Sequence, residues 1–215
     1  MKTYLNIIRT LTVASVATIL GSLSAKADVI TLTFEGLGNN AAIGNYYNGG
    51  AVGNYGISFW GDSLALISYA GGGTGNFSNN PSGDTVAYFL SGPGDVMNVT
   101  GGFDTGFSFY YADQVGYTGS VSVYTGLNGS GSLLASLSLP STPNPYTVFT
   151  PIGVTFGGTA QSVVFSGAAN YIAFDNITLG SETPGGSGVP DGGTSVVLLS
   201  MGMLRLAGIS RRLRR

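Results

Sequence analysis

Ile30-Thr31-Leu32-Thr33-Phe34 and Phe107-Ser108-Phe109-Tyr110-Tyr111 place a large apolar side chain at every second position. Side chains of an extended chain alternate between its two sides, so this spacing gives a strand with one face for a core. The same period continues outward from those stretches. Ile57 and Phe59 alternate with Ser58 and Trp60, Val121 and Val123 with Ser122 and Tyr124, and 133–139 is a Leu-Ser alternation. Further runs of strand character fall at 85–90, 96–100, 152–156, 161–166 and 171–179. Between them stand clusters of Gly, Asn, Pro and Ser, the residues of turns. Asn128-Gly129 and Gly71-Gly72-Gly73 supply the positive-φ positions that tight turns need. Ten to eleven strands, no helical periodicity and no fixed-period repeat exclude a bundle, a solenoid and a propeller. The pattern predicts an all-β fold, an antiparallel two-sheet β-sandwich of the jelly-roll kind over 28–183.

Charge is segregated along the 215 residues. All eight Lys and Arg lie at the ends, from Lys2 to Lys26 and from Arg205 to Arg215, and the chain has no His. Between 28 and 190 stand nine acids and no base, a net charge of −9. Such a domain cannot neutralise phosphates, which excludes nucleic acid as a partner. Neutral glycans and cations are compatible with it. Without a single Cys, disulfides and thiolate chemistry are excluded as well.

Both ends read as addresses. Basic Lys2 and Arg9, an uncharged apolar stretch at 11–23 and a small-x-small close at Ala25-Lys26-Ala27 form a signal peptide. About 13 apolar residues are too few to cross a bilayer, so removal by signal peptidase after Ala27 is expected, with the export machinery as partner. At the other end a flexible linker, 184–188, leads into Val189-Pro190-Asp191-Gly192-Gly193. An apolar run at 195–204 and a basic cluster, Arg211, Arg212, Arg214 and Arg215, complete a tripartite tail, 189–215. By the positive-inside rule the cluster holds the end of a single hydrophobic helix at the cytoplasmic face of the inner membrane. The tail resembles the C-terminal sorting signal of the PEP-CTERM class in its VPDSG-like variant. That resemblance implies processing by an exosortase-type membrane transpeptidase and a cell-surface or extracellular-matrix destination.

The sandwich resembles a second family. Its first strand ends Phe34-Glu35-Gly36 and its last reads Phe174-Asp175-Asn176-Ile177-Thr178-Leu179. This opening and closing pair is similar to jelly-roll carbohydrate-binding modules. In those modules first and last strands are neighbours and an acid from each helps to hold a structural Ca²⁺. The resemblance thus implies Glu35 and Asp175 as metal ligands. Asp62 is a candidate third acid only by its place after an early strand, not by the resemblance. From the residues alone, Asp175 is conspicuous because a carboxylate within an apolar strand needs a cation or several hydrogen bonds. A solvent-facing Glu35, with Asp175 bonded to local amides or marking a bulge, is the competing arrangement.

Trp60, beside a Gly at a strand end, is the candidate glycan contact, since sugars stack on aromatic faces. Adjacent pairs such as Tyr46-Tyr47 and Tyr110-Tyr111 cannot both point inward. Catalysis is poorly served: without His, Cys, Lys or Arg in the mature domain, only a two-carboxylate glycosidase is chemically open. The functions to weigh are a non-enzymatic surface protein, a Ca²⁺-stabilised module that binds extracellular polysaccharide and, more distantly, a glycoside hydrolase.

Overall fold

The computed structural model describes residues 29–50 and 52–186. Among the described residues thirteen strands follow one another, the first three being β1 (Ile30–Leu32), β2 (Asn48–Gly50) and β3 (Gly53–Asn54). Next come β4 (Ile57–Trp60), β5 (Ser63–Ile67), β6 (Thr85–Phe89), β7 (Gly94–Phe103) and β8 (Gly106–Asp113). After β9 (Gly119–Tyr124) a 3-10 turn, Leu127–Gly129, leads to β10 (Leu133–Leu139), β11 (Thr150–Thr155), β12 (Ala160–Gly167) and β13 (Ile172–Leu179). They form the expected antiparallel sandwich. One sheet has the order β11-β8-β13-β6-β5, with β1 alongside β13, and the other has the order β10-β9-β12-β7-β4. Strands β2 and β3 make a separate small hairpin.

The alternating residues meet between the sheets. Phe107, Phe109, Phe174 and Ile177 from the first sheet pack with Phe59, Met97, Val123 and Phe165 from the second. Three of these rings lock the layers together: Phe165 stands 5.0 Å from Phe174 and 6.1 Å from Phe109, each pair edge-to-face. Such pairs add about 0.5–1.5 kcal/mol each beyond their burial. Tyr110 and Tyr111 divide as strand parity requires, half-buried and buried, and in the turn before β2 Tyr46 is half-buried while Tyr47 is buried.

The outer face of the first sheet is covered too. Phe77, Val86 and Ala173 form a second apolar cluster there, with Leu66, Tyr146 and Phe149 packed against it. These rings come from the segments 68–84 and 140–149, which lie across the sheet. β6 is therefore buried at all five positions, Thr85 to Phe89.

First and last strands are neighbours, Ile30 opposite Leu179 and Leu32 opposite Ile177. On its other side β13 pairs with β8, and the register slips between Asp175 and Thr178. Asn176 sits in that slip with φ of +48°, a left-handed conformation that Asn tolerates better than most residues. The slip is a β-bulge, which bends the strand at the acid.

Candidate functional site

Strand alternation puts Asp175, next to the core residue Phe174 and two positions from the outward Ala173, on the outer face of the first sheet, bonded to the segment 80–84. Its side chain is wholly buried. Oδ2 accepts a hydrogen bond from Ser82 N at 3.1 Å, while Oδ1 accepts from Ser82 Oγ at 2.9 Å and Asn176 N at 2.7 Å. Burial pushes the carboxyl up to about 7, against the opposing pull of those donors. The side-chain oxygen of Asn176, next along the bulge, is buried without a partner.

Glu35 holds the same segment from the other side. Its Oε1 accepts from Thr85 N at 2.8 Å and its Oε2 from Thr85 Oγ1 at 3.2 Å. A Cβ added at Gly83 would lie 2.2 Å from Glu35 Cδ, so only glycine lets the segment pass the carboxylate. The chain reaches this position because Phe34 adopts φ of +63° and donates its N–H to the buried Tyr47 hydroxyl at 2.8 Å. Tyr46 then donates its hydroxyl to the Glu35 carbonyl at 2.9 Å. The first-strand and last-strand acids thus clasp one loop between them.

Asp62 does not join them. It is exposed in the turn before β5 and accepts from Ser91 Oγ, beyond the far end of β6 from Thr85. Six residues of extended chain separate those contacts, about 20 Å. Among the described residues no three Asp or Glu side chains converge. The two carboxylates and the partnerless Asn176 amide oxygen are donors of the type a hard cation takes, but the carboxylates engage separate residues of the loop, Ser82 and Thr85. A bound ion would draw its remaining ligands from loop carbonyls.

A different surface carries Trp60, which is 58% exposed at the end of β4. Cross-strand register places it in a row that traverses the second sheet: Trp60, Val96, Val164, Ser122 and Ser136. All five face away from the core, and none is charged. In the neighbouring row the turn after β9 lies down on the sheet. Asn98 Nδ2 donates to Asn128 Oδ1 at 2.8 Å, Asn128 N donates to Asn98 Oδ1 at 2.7 Å, and Gly129 N donates to Ser162 Oγ at 2.9 Å. Leu127 projects from this turn, 38% exposed. The result is a surface of apolar and hydroxyl groups, with the docked turn upon it and an aromatic ring at one margin.

Three features escaped sequence reasoning. Asp95 and Asp113 are buried acids, and burial raises Asp95 to about 6 and pushes Asp113 in the same direction. Tyr117 and Tyr171 stack in parallel with ring centroids 4.0 Å apart, an approach of loops that no local pattern announces. The sorting motif at 189–193, the basic cluster at 211–215 and the Ala25 and Ala27 cleavage positions lie outside the described residues. Among the described residues no helix is long and apolar enough to cross a membrane.

No protein-family model matches the chain, and no curated protein matches it in sequence. Some solved structures are similar to it at low identity. A family 29 carbohydrate-binding module is 14% identical with a TM-score of 0.42, the match covering 77% of this chain and all of that one. A carbohydrate-binding module of Cellvibrio mixtus lichenase 5A, in complex with cellotriose, is 14% identical with a TM-score of 0.39, over 71% of this chain and 97% of that one. An arabinoxylan arabinofuranohydrolase from Bacillus subtilis is 20% identical with a TM-score of 0.35, but the match spans only 47% of this chain and 23% of the enzyme.

Proposed function

We propose that the chain is an exported, non-catalytic β-sandwich that holds neutral extracellular polysaccharide on the outer face of its second sheet, with Trp60 as the stacking residue. The observation that carries this reading is a large exposed indole at one end of an uncharged outward row of the second sheet. Hydroxyls of Ser122 and Ser136 in the same row can donate to and accept from sugar hydroxyls. The acidic balance of the domain favours neutral over anionic glycans. Its ends fit delivery: a signal peptide removed after Ala27 and a PEP-CTERM-type tail processed by an exosortase. Binding to an array of neutral polysaccharides tests the reading. Saturable binding that is lost in Trp60→Ala, with the melting temperature unchanged, is expected. No binding by the parent chain overturns it, and release of reducing sugar would replace it with a glycosidase.

A structural Ca²⁺ held by Glu35 and Asp175 belongs to the same proposal. It is favoured by a wholly buried carboxylate with no cationic side chain anywhere in the domain. Calcium is expected to raise the melting temperature and chelator to lower it. A melting temperature indifferent to both would remove the metal and leave the glycan surface standing.

A further inference from the structure

Two sheets have four long margins, and each must be covered, interrupted or charged if it is not to pair with another strand. Three of these margins are managed. The margin at β5 is bonded to the preceding segment, with Asn40 N donating to Ala65 O and Ala65 N donating to Ala41 O, both at 2.8 Å. At β4 the same segment continues, Tyr55 N donating to Tyr47 O and Phe59 N to Gly44 O. β11 is interrupted by Pro151, which has no N–H to offer. β10 has none of these devices. Its sequence, Leu-Leu-Ala-Ser-Leu-Ser-Leu, contains no charge and no proline. Among the described residues no backbone bond reaches its outer side.

The unpaired groups can be named. Thr125 N donates to Ser132 O at 3.0 Å, so alternate residues of β9 from Thr125 turn their backbone toward β10. Val123, Val121 and Gly119 therefore face Ala135, Leu137 and Leu139 across the ladder. In an antiparallel strand the intervening residues point the other way. Ser136 and Ser138 thus present their N–H and C=O outward. One register slip lies at the start of β10, and Ala135 to Leu139 then run without interruption.

Charge decides the partner. From 114 to 174 the chain contains no acid and no base, a stretch that spans β9, β10, β11 and β12. All nine acids of the domain lie in the rest of it. Two copies can meet along β10 without bringing carboxylates together, whereas contact through any acid-bearing margin sets like charge against like. We propose that β10 is a homodimerisation edge. Two copies pair β10 antiparallel about a two-fold axis at Leu137, joining two five-stranded sheets into one of ten. Ser136 of each copy then bonds Ser138 of the other through the backbone, and the half-buried Leu137 side chains cover each other. The two-fold consumes both edges, so the assembly closes at two.

The test is sedimentation velocity on the full chain in detergent, over a concentration series. A monomer–dimer equilibrium is expected. Ser136→Pro removes an outward N–H without touching the β9 ladder, and Ser138→Lys adds like charge to both sides of the axis. Each is expected to raise the dimer dissociation constant at least about tenfold, the equivalent of a few lost backbone bonds. Because the chain has no Cys, Leu137→Cys gives an independent readout. Paired across the axis at a non-hydrogen-bonded position, two such residues fall within disulfide reach. Oxidation is expected to yield a covalent dimer from Leu137→Cys and none from Thr100→Cys, an exposed position on β7. A monomer at every concentration overturns the proposal. So do a dimer insensitive to both edge variants, equal cross-linking at the two positions, or open polymers.

Discussion

Asp175 shows how one side chain can set the acid response of the whole domain. An unfolded aspartate titrates near 3.9, whereas the buried group holds its proton up to about 7. Between those values the folded state binds more protons than the unfolded one, so stability falls as pH rises through the window. Asp95, raised to about 6, acts in the same direction. In calcium-free buffer the melting temperature is therefore expected to be higher near pH 4.5 than near pH 8, the Asp175 share being on the order of 2–4 kcal/mol. Asp175→Asn should lose most of that slope, and it should cost stability near pH 4.5 because Ser82 N loses its acceptor. A variant that keeps the parent slope would assign the proton elsewhere. Gly83 is the companion case. With φ of +47° and Glu35 where a Cβ would go, Gly83→Ala should cost about 1–3 kcal/mol in chemical denaturation. A neutral result would mean that the Glu35 side chain swings away freely.

Elements were legible where one of their faces is small or polar. β8, β9 and β10 alternate cleanly, and each was visible in the sequence as a strand. β5 was not, because its buried inner positions are Ser63 and Ala65 while the larger Leu64 and Leu66 face the covering loops. The β2–β3 hairpin carries glycines and exposed residues, so it has no apolar period at all. Asp175 was visible because a carboxylate in an apolar strand breaks a local rule. Asp113 and Asp95 were not, since their burial is decided by distant segments such as Thr142, whose hydroxyl accepts from Asp113 N. The turn at Asn128-Gly129 was read correctly as a positive-φ site, with φ of +58° and +69°. Its docking on Asn98 could not be read, being a contact between residues thirty positions apart. Asn98→Ala removes both of its bonds to that turn and should cost about 1–3 kcal/mol. Hydrogen exchange at Asn128 and Gly129 should accelerate while β12 stays protected, and unchanged exchange would show that the turn holds itself.

For the molecule as a whole, nine acids without a base make repulsion a standing cost. Salt shortens the reach of that repulsion, to about 8 Å at physiological ionic strength. Thermal stability is expected to rise as sodium chloride increases from a few millimolar towards ~0.5 M. A fall would mean that specific polar contacts, rather than net charge, limit the fold. The position of β13 has a mechanical consequence. The chain leaves the sandwich from this strand, not from a margin, and the exit is pinned: Ser108 Oγ donates to Ser181 O at 2.9 Å and Gly185 N to Thr178 Oγ1 at 2.9 Å. Tension drawn through Gly186 must first break those pins, and then strip β13 from β8 on one flank and from β1 and β6 on the other. Load is shared across two ladders instead of peeling one strand from an edge.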